Sequence, residues 1–159
     1  MNYLKPTTKN ELNRVQTALK KELASEKIIQ DIYEYIFNTE GKKTRALLSL
    51  LSSKSTKIKP SERIGLASII ELLHTATLVH DDVVDGSEVR RGSKSVNQVW
   101  TNSYSVLIGD FIYSKAFILM VKLGIPSILD ELAKATNDIA RGEIIQLELS
   151  EKKESIKLN

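Results

Sequence analysis

Residues 70–92 read IELLHTATLVHDDVVDGSEVRRG. Apolar residues recur at helical spacing before the aspartates, and this pattern predicts a helix over residues 61–85. In such a helix Asp81 and Asp85 lie one turn apart on the same face, with Asp82 beside them. Because like charges at this spacing repel, the arrangement favours a bound cation. Mg²⁺ suits it, since Mg²⁺ takes one or two protein carboxylates and fills its other positions with water and phosphate oxygens.

Two arginines follow these carboxylates. Arg90 and Arg91 carry planar guanidinium groups that bind phosphate through two parallel hydrogen bonds and stay charged at any working pH. Carboxylates for a metal and arginines for phosphate together describe a site that holds a diphosphate from two sides. A solvated helix end is the alternative explanation of the aspartates taken alone.

A calcium-binding loop is a second alternative, because Gly86 follows the aspartates. In that loop, counted with Gly86 at its sixth position, the third and twelfth positions must supply oxygen ligands. Here these positions hold Val83 and Gly92, so the calcium-loop hypothesis fails. At average residue usage, the aspartates, arginines and Gly92 arise together by chance on the order of 10⁻⁷ to 10⁻⁸ per starting residue.

The pattern D-D-x-x-D-x-x-x-x-R-R-G in residues 81–92 resembles the first aspartate-rich motif of the trans-type polyprenyl diphosphate synthases. Residues 70–92 are most similar to the long-chain, octaprenyl-type members. The resemblance implies an all-α antiparallel bundle of the isoprenoid synthase type, of which this chain is the N-terminal, truncated portion without the second aspartate-rich motif. It also implies a prenyltransferase that condenses an allylic diphosphate with isopentenyl diphosphate.

The resemblance assigns roles to individual residues. The three aspartates, Asp81, Asp82 and Asp85, are implied as catalytic residues that bind Mg²⁺, and Arg90 as a ligand of the allylic diphosphate. The side chains implied for isopentenyl diphosphate are Lys42, Arg45, His74 and Arg91. A lone histidine on a helix is more often structural, but His74 lies on the helical stripe that leads to Asp81.

Residues 41–45 read GKKTR and precede an apolar run, which predicts the start of a helix. The first amides of a helix and the positive end of its dipole favour an anion. A basic, solvated helix start is the alternative. Gly41, Lys42 and Arg45 match the Gly-Lys-x-x-Arg segment with which the synthase family contacts isopentenyl diphosphate.

Product length is a further implication of the resemblance. In the family, the residues four and five places before the first aspartate help to set it, because a bulky aromatic there closes the apolar pocket. Thr77 and Ala76 are both small, so a long product is implied. Thr77 lies one helical turn before Asp81, whereas the role of Ala76 rests on the resemblance alone.

The composition fits one domain, since 159 residues with 42% hydrophobic content can bury a core. We expect about six helices, with a glycine- and serine-containing connection over residues 86–103. The absence of cysteine suits the cytoplasm. The net charge of +3, spread along the chain, gives little support for nucleic-acid binding, and no apolar run predicts a signal peptide or a transmembrane segment.

Two hypotheses from other classes stay open. The chain could be a catalytically incomplete relic, or a subunit that keeps the fold and is complemented by a partner, rather than an active homo-oligomer such as a dimer. More remotely, His80 and Asp81, with Asp110 downstream, could form a helical metal phosphohydrolase site. That hypothesis makes His80 essential and the arginines dispensable.

Overall fold

The computed structural model describes residues 6–23, 26–38 and 43–157. Its elements, in chain order, are α1 Pro6–Glu22, α2 Lys27–Asn38, α3 Thr44–Ser53, α4 Pro60–Val84, β1 Val89–Arg90, β2 Ser93–Lys94, α5 Val96–Val99, α6 Asn102–Leu123 and α7 Pro126–Lys157. The six long helices confirm the all-α prediction. In the part of the chain that the structure describes, no helix is both long enough and apolar enough to cross a bilayer.

Helix α4 is the centre of the core. It begins where the sequence predicts, because Lys59 is extended before Pro60 and its backbone N–H donates to Glu62 Oε2 at 2.8 Å. Its buried faces pack against α1, α3 and most extensively α6. The largest fully buried core side chains include Val15, Leu19, Leu50, Ile69, Leu72, Ile112 and Met120.

Close packing of α4 against α6 depends on Gly109. The His80 ring lies directly over this glycine, and a Cβ built on Gly109 would come within 2.2 Å of His80 Nε2. His80 Nε2 also lies 3.2 Å from the carbonyl oxygen of Val106 and 3.4 Å from Asp110 Oδ1. Both neighbours are acceptors, so Nε2 carries the proton and His80 ties the two helices together.

Ion pairs of Glu11 hold helix α1 to the start of α4 and to the end of α3. Arg63 Nη2 donates to Glu11 Oε1 at 2.7 Å, and Lys54 Nζ lies 3.1 Å from Glu11 Oε2. Burial raises the pKa of Glu11, but the hydrogen bonds and positive charges of Arg63 and Lys54 outweigh it, so the net pKa lies below its usual value of 4.5.

This lowered pKa makes the stability of the protein dependent on pH. The stabilisation by ionised Glu11 is complete above pH 4.5 and is lost as the pH falls through the lower pKa of the folded state. Glu11→Gln should therefore reduce the free energy of unfolding by about 1 kcal/mol at neutral pH. Urea titrations at several pH values should show this difference shrink in acid. A difference that stays constant would mean that Glu11 acts through packing instead.

The chain divides by its internal contacts into two compact units, residues 1–123 and 124–159. In the second unit the structure describes α7, a helix of 32 residues. Several of its apolar side chains are exposed, among them Ile139, Ile144, Leu147 and Leu149. In the first unit, Leu107 and Val121 of α6 are also exposed. We expect these exposed apolar side chains to promote self-association. The single domain stays a prediction.

Candidate functional site

An open cleft lies between α2, the start of α3, α4 and the β1–β2 hairpin. Its floor is apolar, with Leu78 and Val79 of α4 among the lining residues. Its rim is cationic, and the charged or imidazole side chains that line it are Lys43, Glu71, His74, Asp82, Arg90, Arg91 and Lys94. The cleft therefore combines an apolar interior with an excess of positive charge, which suits an anionic ligand.

The hairpin is a departure from the prediction of a simple connection over residues 86–103. β1 and β2 pair antiparallel, and the two residues between them, Arg91 and Gly92, both have positive φ, 53° and 80°. This geometry is that of a type I′ turn. The hydroxyl of Tyr35 on α2 donates to the carbonyl oxygen of Lys94 at 2.8 Å. The turn and this bond hold Arg91 at the rim of the cleft.

Asp82 and Arg90 form an ion pair inside the cleft. Arg90 Nε donates to Asp82 Oδ1 at 2.6 Å, and the Asp82 residue is only 2% exposed. Asn97 of α5 donates to the backbone carbonyl oxygen of Asp82 at 3.2 Å and helps to fix this end of α4. The bond uses Nε of Arg90, and the two terminal nitrogens of a guanidinium carry further N–H donors.

Asp81 lies in the last turn of α4, and Asp85 is the C-cap residue that directly follows the helix. The N–H of Asp85 donates to the carbonyl oxygen of Asp81 at 2.8 Å, so the two residues are one turn apart as predicted. Asp81 is half-buried and Asp85 is exposed. Among residues 6–23, 26–38 and 43–157, no three acidic or histidine side chains lie close enough together to share one ion. Because Asp82 is turned towards Arg90, a site with all three aspartates stays a prediction.

The carboxylates of Asp81 and Asp85 have the donor chemistry of a divalent-cation site, and their role as metal ligands stays a prediction. Their oxygens are the ligands that Mg²⁺ prefers, and Mg²⁺ needs only one or two carboxylates beside water and phosphate oxygens. Asp81 and Asp85 supply that number from one helical turn, and the exposure of Asp85 leaves room for the other ligands.

His74 and Arg45 come together at the cleft. Arg45 Nη1 lies 3.0 Å from His74 Nε2. Arginine has only donors, so Nε2 accepts this hydrogen bond and the proton of the neutral ring is on Nδ1. Burial, followed by the charges of Arg45, Arg91 and Arg90, lowers the pKa of His74 to about 4. His74 is therefore neutral at physiological pH and acts in the cleft as a hydrogen-bonding group.

Comparison with known proteins identifies the family. The family model described as polyprenyl synthetase matches residues 26–159. The chain belongs to the polyprenyl synthetase family. The fold agrees, because a solved polyprenyl synthase from Caulobacter crescentus CB15, complexed with calcium and isoprenyl diphosphate, matches with a TM-score of 0.85 at 35% identity. That match covers 89% of this chain and 43% of the other.

Curated relatives of the polyprenyl synthetase family give the same result. The chain is 38% identical over 141 residues to octaprenyl diphosphate synthase of Escherichia coli K12, covering 88% of this chain and 44% of that protein. It is 45% identical over 113 residues to octaprenyl diphosphate synthase of Haemophilus influenzae, covering 71% and 34%. The chain thus spans less than half the length of these relatives. Both relatives are octaprenyl diphosphate synthases, and neither is a phosphohydrolase.

The remaining predicted site residues are Lys42, with the neighbouring Gly41, and Ala76 and Thr77. Lys42 and Gly41 lie outside the described residues. Ala76 is fully buried and Thr77 is half-buried, and the Thr77 hydroxyl donates to the carbonyl oxygen of His74 at 2.9 Å. Neither lines the cleft described above. Their role in product length stays a prediction.

Among the charged residues that line the cleft, sequence reasoning missed Lys43, Glu71 and Lys94. Lys43 lines it from the start of α3, and burial lowers the pKa of Lys43, an effect that the charge of Glu71 partly opposes. Glu71 of α4 is buried, and its Oε1 accepts the backbone N–H of Ala46 at 2.9 Å. The sequence predicted that the start of α3 favours an anion, and the structure shows the carboxylate of Glu71 bound there. The spacing of Glu71 and His74, three residues apart on α4, was the available signal.

Proposed function

We propose that the protein acts as a prenyltransferase that joins an allylic diphosphate to isopentenyl diphosphate and produces a long-chain polyprenyl diphosphate. The observation that carries the proposal is the cationic, apolar-floored cleft next to the paired carboxylates of Asp81 and Asp85. A prenyl diphosphate has the matching chemistry, an apolar chain with a strongly anionic head. The cysteine-free sequence suits action in the cytoplasm.

Within this proposal the arginines and His74 bind the substrates. Arg45, His74 and Arg91, with Lys42, would hold the diphosphate of isopentenyl diphosphate and orient its double bond towards the allylic carbon. Arg90 would hold the allylic diphosphate through its terminal nitrogens. Neutral His74 can accept one hydrogen bond from Arg45 and donate another through Nδ1.

Asp81 and Asp85 would hold the divalent cation, for which we propose Mg²⁺. When bound, such a cation neutralises the charge that develops on a departing diphosphate. Departure of the diphosphate leaves an allylic cation, which the double bond of isopentenyl diphosphate attacks. Loss of a proton then completes an extension by one isoprene unit. The apolar side chains of the cleft, such as Leu78 and Val79, exclude water from the cation.

Calorimetry with farnesyl diphosphate tests the proposal. We expect saturable binding in the presence of Mg²⁺ and much weaker binding when Mg²⁺ is removed by a chelator, because the carboxylates then repel the diphosphate. Farnesol, which has the same chain without the diphosphate, is the matched control and should not compete. Equal binding of farnesol, with or without Mg²⁺, would mean that the exposed apolar surface takes up the chain and would overturn the proposal.

A further inference from the structure

The first turn of α3 is capped by another helix. Lys43, the residue before the helix, has φ 44° and ψ 43° and makes no side-chain hydrogen bond to the turn. The first backbone N–H groups of a helix have no partner within it. One of these, that of Ala46, donates to Oε1 of Glu71 on α4 at 2.9 Å. Glu71 is only 7% exposed. A buried carboxylate of α4 therefore does the work of a local cap.

A second contact with α4 holds the side chain of Arg45, which lies in the same turn of α3. His74, one turn after Glu71 on α4, accepts a hydrogen bond from Arg45. Glu71 thus binds a backbone N–H of this turn, and His74 binds the side chain of Arg45 in the same turn. Lys43, at the start of the turn, lines the cleft together with both α4 residues. The position of two cations, Lys43 and Arg45, therefore depends on how this one turn sits against α4.

We propose that Glu71 is a positioning residue that fixes the first turn of α3 so that Lys43 and Arg45 can bind the substrate diphosphate. This role rests on the proposed function. A carboxylate in a cleft for an anion would ordinarily weaken binding by repulsion. Here the charge is balanced by the positive end of the α3 dipole and lies close enough to Lys43 to affect its titration.

Two variants separate position from charge. Glu71→Gln removes the charge but keeps an acceptor oxygen at the same distance from the Ala46 amide. Glu71→Asp keeps the charge but withdraws the acceptor by one methylene, beyond hydrogen-bond reach. Ser68→Ala is the matched control, because Ser68 is also buried on α4 and its hydroxyl donates to the carbonyl oxygen of Ile64 in its own helix.

The first readout needs no ligand. Nitrogen-15 NMR of the imidazole reports which ring nitrogen of His74 is protonated. In the wild type, Glu71→Gln and Ser68→Ala, we expect the proton on Nδ1. In Glu71→Asp, Arg45 should move away, so the proton should return to Nε2 and the pKa of His74 should rise from about 4 towards its usual value of 6.5. Unchanged His74 signals in folded Glu71→Asp would overturn the proposal.

The second readout is calorimetric binding of inorganic pyrophosphate in the presence of Mg²⁺. We expect Glu71→Asp to weaken it about tenfold, while Glu71→Gln and Ser68→Ala stay within about threefold of the wild type. A role through charge alone predicts the reverse, with Glu71→Gln the altered variant, and that result would also overturn the proposal. Failure of the wild type to bind pyrophosphate would count against the proposed function, whereas the His74 signals would still decide the role of Glu71.

Discussion

Asp81→Ala and Asp85→Ala should each weaken Mg²⁺-dependent binding of farnesyl diphosphate by about tenfold to a hundredfold. The two carboxylates occupy one helical turn, and Asp82 is engaged by Arg90, so removal of either leaves a single protein ligand in this turn. Without the second ligand the cation is held too weakly to offset the charge of the diphosphate. Calorimetry at fixed Mg²⁺ measures the change directly.

His80→Ala is the control for this pair. His80 directly precedes Asp81, but its ring packs on α6 and contacts the carbonyl oxygen of Val106. The variant should lose stability while its affinity for the diphosphate stays within about threefold of the wild type. Equal losses in all three variants would indicate general destabilisation. A loss confined to His80→Ala would favour the phosphohydrolase hypothesis instead.

Gly109→Ala should reduce the free energy of unfolding by about 1–3 kcal/mol, although alanine is the better helix former. The new methyl group would lie 2.2 Å from His80 Nε2, so the ring must leave its position between α4 and α6 and give up its contacts. Urea denaturation followed by circular dichroism measures the loss.

Two further variants show whether the His80 ring is the cause. Gly65→Ala, in α4, brings its methyl group only to ordinary contact with Leu123 Cδ1 at 3.5 Å, and should increase stability by up to about 1 kcal/mol. In the double variant His80→Ala/Gly109→Ala the clash is absent, so it should be more stable than Gly109→Ala alone. If Gly109→Ala behaves like Gly65→Ala, the packing of α4 on α6 is less tight than described.

The helical frame could be predicted because its signals are local. Pro60 follows an extended Lys59, and apolar periodicity runs from there to the aspartates, so the start of α4 and the spacing of Asp81 and Asp85 follow from the sequence. Gly109 is another local signal, because glycine inside a helix is typical of a close contact with a neighbouring helix.

The arrangement of the cleft could not be predicted to the same degree because it depends on contacts between elements. A helical wheel places Asp81 on the stripe of His74, whereas the cleft is lined by Asp82, which Arg90 binds from the hairpin. Glu71 caps a helix other than its own, and no local pattern shows this. The hairpin was missed because its turn, Arg91-Gly92, lacks the asparagine or aspartate that usually precedes glycine there.

Arg91 has a left-handed backbone conformation, and selection for stability and selection for ligand binding would act on this position in opposite directions. An L-residue other than glycine at positive φ costs about 1–2 kcal/mol, so glycine or asparagine at this position would form the turn more easily. Directed evolution for heat resistance alone would therefore tend to replace Arg91. Selection for retention of a diphosphate would keep it, since the turn delivers its guanidinium to the rim of the cleft. Under the proposed function, the residue at position 91 would therefore show whether a lineage has been selected for ligand binding or only for stability.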